Sequence, residues 1–239
     1  MPFALPLIAF IVAATPFGLI IGRLVKGIDI REHGSGNIGT TNVFRVLGKG
    51  PGIVCLILDI LKGFLPVVAA INLLQFVGRE PVPHVAFLDS LAQVRPASEQ
   101  FFVQLIHIVT ALFAILGHNY SPWLKFKGGK GIATSAGVLL ALMPAAVALL
   151  ILIFLAVFLT SRYVSLASIT AAACLPLLTF WGSWYHGRIA DGTWNKPLFI
   201  FSIVVAVLAI WKHRSNIERL RNGTENRFGK KKQQSSTEN

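Results

Sequence analysis

Apolar residues in this chain neither alternate nor recur on one helical face. They run on in blocks, at 2–22, 53–77, 102–118, 132–160, 163–181 and 197–211, separated by short polar connections. A helix needs about 20 apolar residues to cross the hydrocarbon of a bilayer, so each block predicts a crossing or close to one. The first block lacks a basic leader and a small-residue cleavage site, and predicts a retained helix rather than a signal peptide.

Lys and Arg set the orientation. They gather at 23–49, at 125–130, at Arg162 and from Lys212 to the C-terminus, whereas 78–101 and 182–196 hold fewer cations, partly balanced by Glu80, Asp89, Glu99 and Asp191. Cationic connections stay in the cytoplasm. If 132–160 crossed once, the basic tail would be driven outside. A fold-back at Met143 and Pro144, with Pro144 opening the second arm, returns every basic string to one side. The resulting expectation is an all-α integral membrane protein, a seven-helix bundle with the N-terminus outside and the C-terminus cytoplasmic. The two arms within 132–160 fall at or below the roughly 17 residues of a usual span, so short or tilted helices are expected there. Residues 1–222 form one transmembrane domain. Residues 223–239 are polar and basic, and are expected to be a disordered cytoplasmic tail drawn to anionic headgroups.

Composition narrows the class. With 54% hydrophobic and 13% charged residues and a mean hydropathy of +0.66, the solvent of this chain is lipid. The net charge of +12 comes from the connections. Cys55 and Cys174 both lie inside apolar blocks without metal or disulfide spacing, and are read as small buried hydrophobes.

Three polar strings carry the candidate chemistry. The first reads S-G-N-I-G-T-T-N over 35–42 and leads to Arg45. Its glycines Gly36 and Gly39 let backbone amides approach an anion; Ser35, Asn37, Thr40, Thr41 and Asn42 add side-chain donors, and Arg45 a fork-shaped cation. The span 34–39 matches the dinucleotide pattern G-x-G-x-x-G but lacks the strand and βαβ unit which that pattern requires. The bland alternative is a polar loop with a helix cap.

The second string, F-K-G-G-K-G over 126–131, follows Gly117 and His118. Lys127, Gly128, Gly129, Lys130 and Gly131 stand immediately before an apolar helix, where free N–H groups and ammonium charges make an anion site. It is no Walker A loop. An interfacial anchor would explain the lysines but leaves the glycines without a reason. The third string closes the last block with His213 and Asn216 at i, i+3, on one face if the helix continues. Ser161 and Arg162 fill the gap between two apolar blocks, where an Arg could simply snorkel. Asp59 and Lys62, one turn apart within the second block, are read first as a structural ion pair, with a secondary part in positioning a cation near the first string.

Taken in order, S-G-N-x-G-x-T-N then R, G-H with F-K-G-G-K-G-x-A-T, S-R, and H-R-x-N-I-x-R-L with a downstream G-x-E resemble the bacterial acyl-phosphate-dependent glycerol-3-phosphate acyltransferases. The likeness extends over the whole chain. It implies a small membrane enzyme of the bacterial cytoplasmic (inner) membrane, with its active site on the cytoplasmic side. This enzyme would move a fatty acyl group from acyl-phosphate to the sn-1 hydroxyl of glycerol-3-phosphate, giving lysophosphatidic acid and phosphate. The resemblance places Ser35, Arg45, one of Lys127 and Lys130, Ser161, Arg162, His213 and Asn216 around glycerol-3-phosphate, with Ser35, Arg45, His213 and Asn216 as the catalytic set. The glycine-rich backbone would accommodate the acyl-phosphate, and Glu225 would support the last string.

The residues agree with that chemistry. A mixed anhydride is already activated, so orientation and charge stabilisation suffice and no cofactor or metal is expected. Partners are the two substrates and membrane lipids, with no nucleic acid, and one chain holds every string, so a monomer is sufficient. Either His213 or the substrate's own phosphate could take the hydroxyl proton. His84 and Asp89 have the H-x-x-x-x-D spacing of soluble-headed acyltransferases, but fall on the outer side. A carrier for a phosphorylated metabolite would need a midplane site between repeats. CDP-alcohol chemistry would need an aspartate cage. The chain has neither pattern.

Overall fold

The computed structural model describes residues 2–229, and the apolar blocks fold mainly as helices, interrupted at 14–16, at 74–76 and at Met143. In chain order these are α1 (Ala4–Ala13), α2 (Phe17–Lys26), α3 (Thr40–Leu47), α4 (Lys49–Leu73), α5 (Gln100–Asn119), α6 (Ile132–Leu142), α7 (Pro144–Ser161), α8 (Val164–Tyr185), α9 (Lys196–Lys212) and α10 (Arg214–Arg221). Five are long and apolar enough to cross a bilayer: α1 with α2 as Ala4–Lys26, α4, α5 within Ala97–Leu124, α7 and α8. A sixth arises if α9 and α10, bent by 56° at their junction, count as one span. The remaining block, α6, has 11 residues. Large side chains such as Leu24, Leu152, Leu177 and Val207 point outward, the inverse of a water-soluble protein and the arrangement expected in lipid.

The fold-back expected at Met143 is present. Met143 leaves the helical region at φ −152°, and Pro144 opens α7, where its missing N–H costs nothing. The connection from α4 to α5 holds short helical turns at Ala86–Leu91 and Ala97–Glu99 and a two-stranded pairing. Leu74–Phe76 (β1) and Gln93–Arg95 (β2) pair in parallel, Leu74 opposite Gln93 and Phe76 opposite Arg95, which satisfies backbone groups where α4 ends. The boundary drawn at Gly223 is not where packing stops. Glu225 reaches into the bundle and Phe228 packs edge-on against Phe158. The lysine-rich run expected to be disordered lies outside the described residues.

Helix α4 is the hub, packed by α1, α3, α5 and α6, while α7, α8 and α9 stack beside it and α9 closes on α5. The α4–α6 approach depends on two glycines. A Cβ on Gly63 would stand 2.3 Å from the Thr134 carbonyl oxygen, and one on Gly137 would stand 2.0 Å from that of Ile60. Both collide with backbone, so neither helix tolerates a side chain there, and α6 is held close beside α4.

The break between α1 and α2 frees carbonyl oxygens inside the bundle, where no water can satisfy them. Ser121 Oγ donates to the Ala14 carbonyl at 2.6 Å, and Lys62 Nζ donates to that of Thr15 at 2.7 Å. The Lys62 charge is in turn neutralised by Asp59 at 2.7 Å, with both side chains almost fully buried. The pair therefore stitches a broken helix to α4.

Candidate active site

All three strings converge on one cavity of about 500 Å³. In the first string the organiser is Asn42. Only 1% exposed, its Nδ2 donates to the Ile30, His33 and Asn37 carbonyls, and its Oδ1 accepts from the Ser35 N–H at 2.8 Å. Every side-chain polar atom is thus committed to shaping the loop. Asn37 likewise turns inward, its Oδ1 accepting from the Gly39 N–H at 2.8 Å. Beneath the string Leu19, Ile30, Ile38, Val43 and Cys55 form a small core of their own. Ser35, Asn37, Gly39, Thr40, Thr41, Asn42 and Arg45 all border the cavity. Thr40 Oγ1 also lies 3.7 Å from Cys55 Sγ, and Arg45 makes no ion pair or side-chain hydrogen bond among the described residues. Gly36 stands outside the lining, at φ +69° and close to the Arg31 carbonyl, where it turns the chain.

The second string divides. Lys130 and Gly131 line the cavity, together with Ile132 and Ala133 of the first turn of α6. Ser135 is the first of these residues whose N–H bonds back, to Gly131, so the amides before it are free donors at a positive helix end. Lys127 is exposed and absent from the wall. Gly128 and Gly129 face the other way: a Cβ on either would stand 2.1 Å from His118, at its carbonyl oxygen and ring respectively. These glycines are required by packing against α5, a demand that composition could not separate from anion binding.

The third string closes the site. His213 caps α9, and its Nδ1 lies 2.8 Å from the Ala209 carbonyl oxygen. That oxygen only accepts, so Nδ1 carries the hydrogen, and in the neutral ring Nε2 is the free acceptor. Asn216 bridges two elements, its Oδ1 accepting from Lys130 Nζ and its Nδ2 donating to Glu225 Oε1 at 2.7 Å. Glu225 also accepts from Arg219 Nε at 2.7 Å and from Ser165 Oγ at 2.8 Å. Burial raises the Glu225 carboxyl, but the bonds from Asn216, Arg219 and Ser165 outweigh it and hold the group below the ordinary carboxylate value. For Lys130, burial pushes the ammonium down, Glu225 pulls it back, and Arg219, Arg45 and Lys212 push it further, to about 8.

Ser161 and Arg162 are outside the wall. Ser161 Oγ donates to the Val157 carbonyl at 2.6 Å; Arg162, at φ +64°, ends α7 in a left-handed turn with its side chain exposed. Ser165 and Ser168, which the spacing missed, line the cavity, as do His118 and Arg219, which stand within the strings but were given no role. Arg219 was legible in principle, since it continues the i, i+3 series of His213 and Asn216. His84 and Asp89 do meet, at 2.8 Å, but half exposed and away from this cavity.

The electrostatic balance is unequal. Arg45, Lys130 and Arg219 face one site carboxylate, Glu225, because Asp59, deeper in the wall, is matched to Lys62. Beyond the polar end the walls turn apolar between α6, α7 and α8, with Leu139, Leu150, Ile151, Phe154, Leu155 and Leu175. The space therefore suits an anionic head joined to a hydrocarbon chain.

Residues 3–223 match the family model described as glycerol-3-phosphate acyltransferase. The chain belongs to this family. A glycerol-3-phosphate acyltransferase of Desulforamulus reducens is 41% identical over 224 residues, covering 94% of each protein. One from Fusobacterium nucleatum is 38% identical, covering 95% of this chain and 97% of the relative. Among solved structures, the crystal structure of PlsY (YgiH), an integral membrane glycerol 3-phosphate acyltransferase in its glycerol 3-phosphate form, superposes with a TM-score of 0.73 at 35% identity. That match covers 95% of this chain and 96% of that one. As a family member, this multi-pass membrane acyltransferase has its place in phospholipid synthesis.

Proposed function

We propose that the protein transfers a fatty acyl group from acyl-phosphate to the sn-1 hydroxyl of glycerol-3-phosphate, releasing lysophosphatidic acid and inorganic phosphate. The observation that carries this reading is the continuity of a cationic pocket with an apolar groove inside one cavity. The relative solved in its glycerol 3-phosphate form has also been solved in a lysophosphatidic acid form, a pair that fits acceptor and product. In this reading Arg45 and Ser35 hold the acceptor's phosphate, while Lys130 and the free amides at the start of α6 hold the phosphate of the mixed anhydride. The acyl chain lies between α6, α7 and α8.

The sn-1 oxygen adds to the acyl carbonyl carbon, a C–O bond forms, and the bond from that carbon to the phosphate oxygen breaks. His213 Nε2 accepts the hydroxyl's hydrogen bond and orients it, and the proton leaves with the departing phosphate. Catalysis rests on orientation and on stabilising charge that grows on the leaving group. Asn216 acts through its neighbours, linking Lys130 to Glu225.

The chain crosses the bacterial cytoplasmic membrane seven times, with its N-terminus outside and the cavity opening to the cytoplasm, and one copy suffices. An impermeant maleimide applied to intact cells should then label Gly187→Cys and leave Lys127→Cys unlabelled; the reverse pattern overturns the orientation. The donor is tested with purified protein given glycerol-3-phosphate and either palmitoyl-phosphate or palmitoyl-CoA. Product should form only from the first. A thioester has no phosphate beside its carbonyl, and each donor left desolvated costs about 1–3 kcal/mol. Comparable turnover with palmitoyl-CoA rejects the assignment.

A further inference from the structure

The helices that enclose the reaction cavity also enclose a second one at their opposite ends. The first is walled by Leu56 of α4, His118 of α5, Ile132 of α6, Ser165 of α8 and Ala209 of α9. The second is walled by Ile71, Gln104, Leu142, Leu178 and Leu198 of those same helices, with a volume of about 360 Å³. It lies beneath the connections that carry Arg79 and Arg188, and both arginines are part of its wall.

Three observations define what it accepts. The level is that of lipid headgroups: Trp181, Trp184 and Tyr185 project outward from the same end of α8, and Trp194 packs with Phe180 and Phe199 beside it. Exposed Trp and Tyr concentrate where hydrocarbon meets water. The rim is cationic, because neither Arg79 nor Arg188 has an ion pair or side-chain hydrogen bond among the described residues. Glu80 is also at the rim and bonds to neither, while His186 adds an imidazole. The floor is apolar, built from Ile71, Leu74, Ile108, Met143 and Leu178, yet it holds Gln104, only 8% exposed, whose side-chain amide has no hydrogen-bond partner among the described residues. Gln104 belongs to the cavity lining, where a ligand can supply the partner its amide seeks. His107, by contrast, is already committed to the Leu74 carbonyl at 2.8 Å.

We propose that this cavity binds one anionic phospholipid from the leaflet opposite the reaction site. Its phosphodiester lies between the guanidinium groups of Arg79 and Arg188, its upper acyl chain lies on the apolar floor, and an ester carbonyl accepts from Gln104. Two fork-shaped guanidiniums suit phosphate oxygens, and the amide separates an esterified glycerol from a bare anion. The proposal needs only that the protein is embedded in a bilayer, and is independent of which acyl donor the enzyme uses.

Native mass spectrometry of the purified protein in detergent with added dioleoyl-phosphatidylglycerol, dioleoyl-phosphatidylcholine or inorganic phosphate tests it. Phosphatidylglycerol should bind as one retained copy, and the zwitterionic lipid should bind at least about tenfold more weakly, because its trimethylammonium group brings a like charge up to the two guanidiniums. The double variant Arg79→Gln with Arg188→Gln should abolish the preference while transferase activity shows that it is folded. Equal binding of both lipids, or a preference untouched by the double variant, overturns the proposal. So does inorganic phosphate that competes as well as the lipid, since the ligand would then be a free anion. As a substitution-free readout, phosphatidylglycerol with a photoreactive group on its acyl chain should label 141–146 and 178–183 in the wild-type protein. Labelling confined to 147–155 and 164–175 places the lipid in the reaction cavity and rejects a second site.

Discussion

Two ionic clusters stand within this bundle, one buried and one half-buried, and they differ in whether their charges cancel. Asp59 and Lys62 form a closed pair, 2.7 Å apart with both side chains almost fully buried, and the ammonium also donates to a carbonyl at the α1–α2 break. Around Glu225 the polar network is as well connected, through Asn216, Arg219 and Ser165, but it retains Lys130 and the nearby Arg45, which has no ion pair among the described residues, in excess. The closed cluster holds helices together. The open one stays incomplete until an anion arrives, which is the property a phosphate site needs.

Removing half of the closed pair should have the largest effect. Asp59→Ala strands a buried ammonium and should lower stability by about 3–5 kcal/mol, read as a fall in melting temperature in detergent, with activity per folded molecule kept. If turnover falls and stability does not, the pair belongs to the chemistry and the distinction collapses. At the open cluster the pattern should invert. Arg45→Ala, His213→Ala and Asn216→Ala should each lower kcat/KM by at least about tenfold, since a charged hydrogen bond is worth roughly 1.5–3 kcal/mol, with melting temperatures near wild type. Lys127→Ala and Arg162→Ala should change kcat/KM less than about twofold, as exposed groups do. Equal damage from Lys127→Ala and Lys130→Ala would show that the cavity wall does not select between the lysines.

A pH profile sharpens the same contrast. The Lys130 ammonium is pushed below its ordinary value, to about 8, so its positive charge is present below that pH and is lost above it. Affinity for a phosphate substrate should therefore be highest below pH 8 and decline as pH rises through it. KM for acyl-phosphate measured on both sides of pH 8 should rise on the alkaline side, and Lys130→Arg should flatten that limb because a guanidinium stays charged. The smallest effect is expected outside both clusters: His84→Ala should leave turnover unchanged although its imidazole meets Asp89 at 2.8 Å.

The helical blocks and the turn at Met143 were legible because long apolar runs and a proline at a helix start are local facts of composition. The strings were legible as anion-binding in type, since glycine amides, guanidinium and ammonium groups at helix ends have few other uses. Their division of labour was not. Asn42 resembles a substrate donor in the sequence, but four bonds turn it into the loop. Gly128 and Gly129 read as a phosphate cradle and are in fact the space that His118 occupies. Glu225 falls in what composition marks as a tail, although its bonding makes it the node of the site.

The sequence by itself thus determined a membrane-embedded helical chain with three anion-seeking strings, because hydrophobic length and residue chemistry act over neighbouring positions. Only the tertiary structure decided that Lys130 lines the cavity while Lys127 is exposed, that Arg219 and Ser165 join Asn216 on one carboxylate, and that Ser161 and Arg162 stay outside. Those outcomes depend on which side chains meet across helices far apart in the chain, and on how closely Gly63 and Gly137 allow α4 and α6 to approach. Spacing along a single helix does not encode that distance.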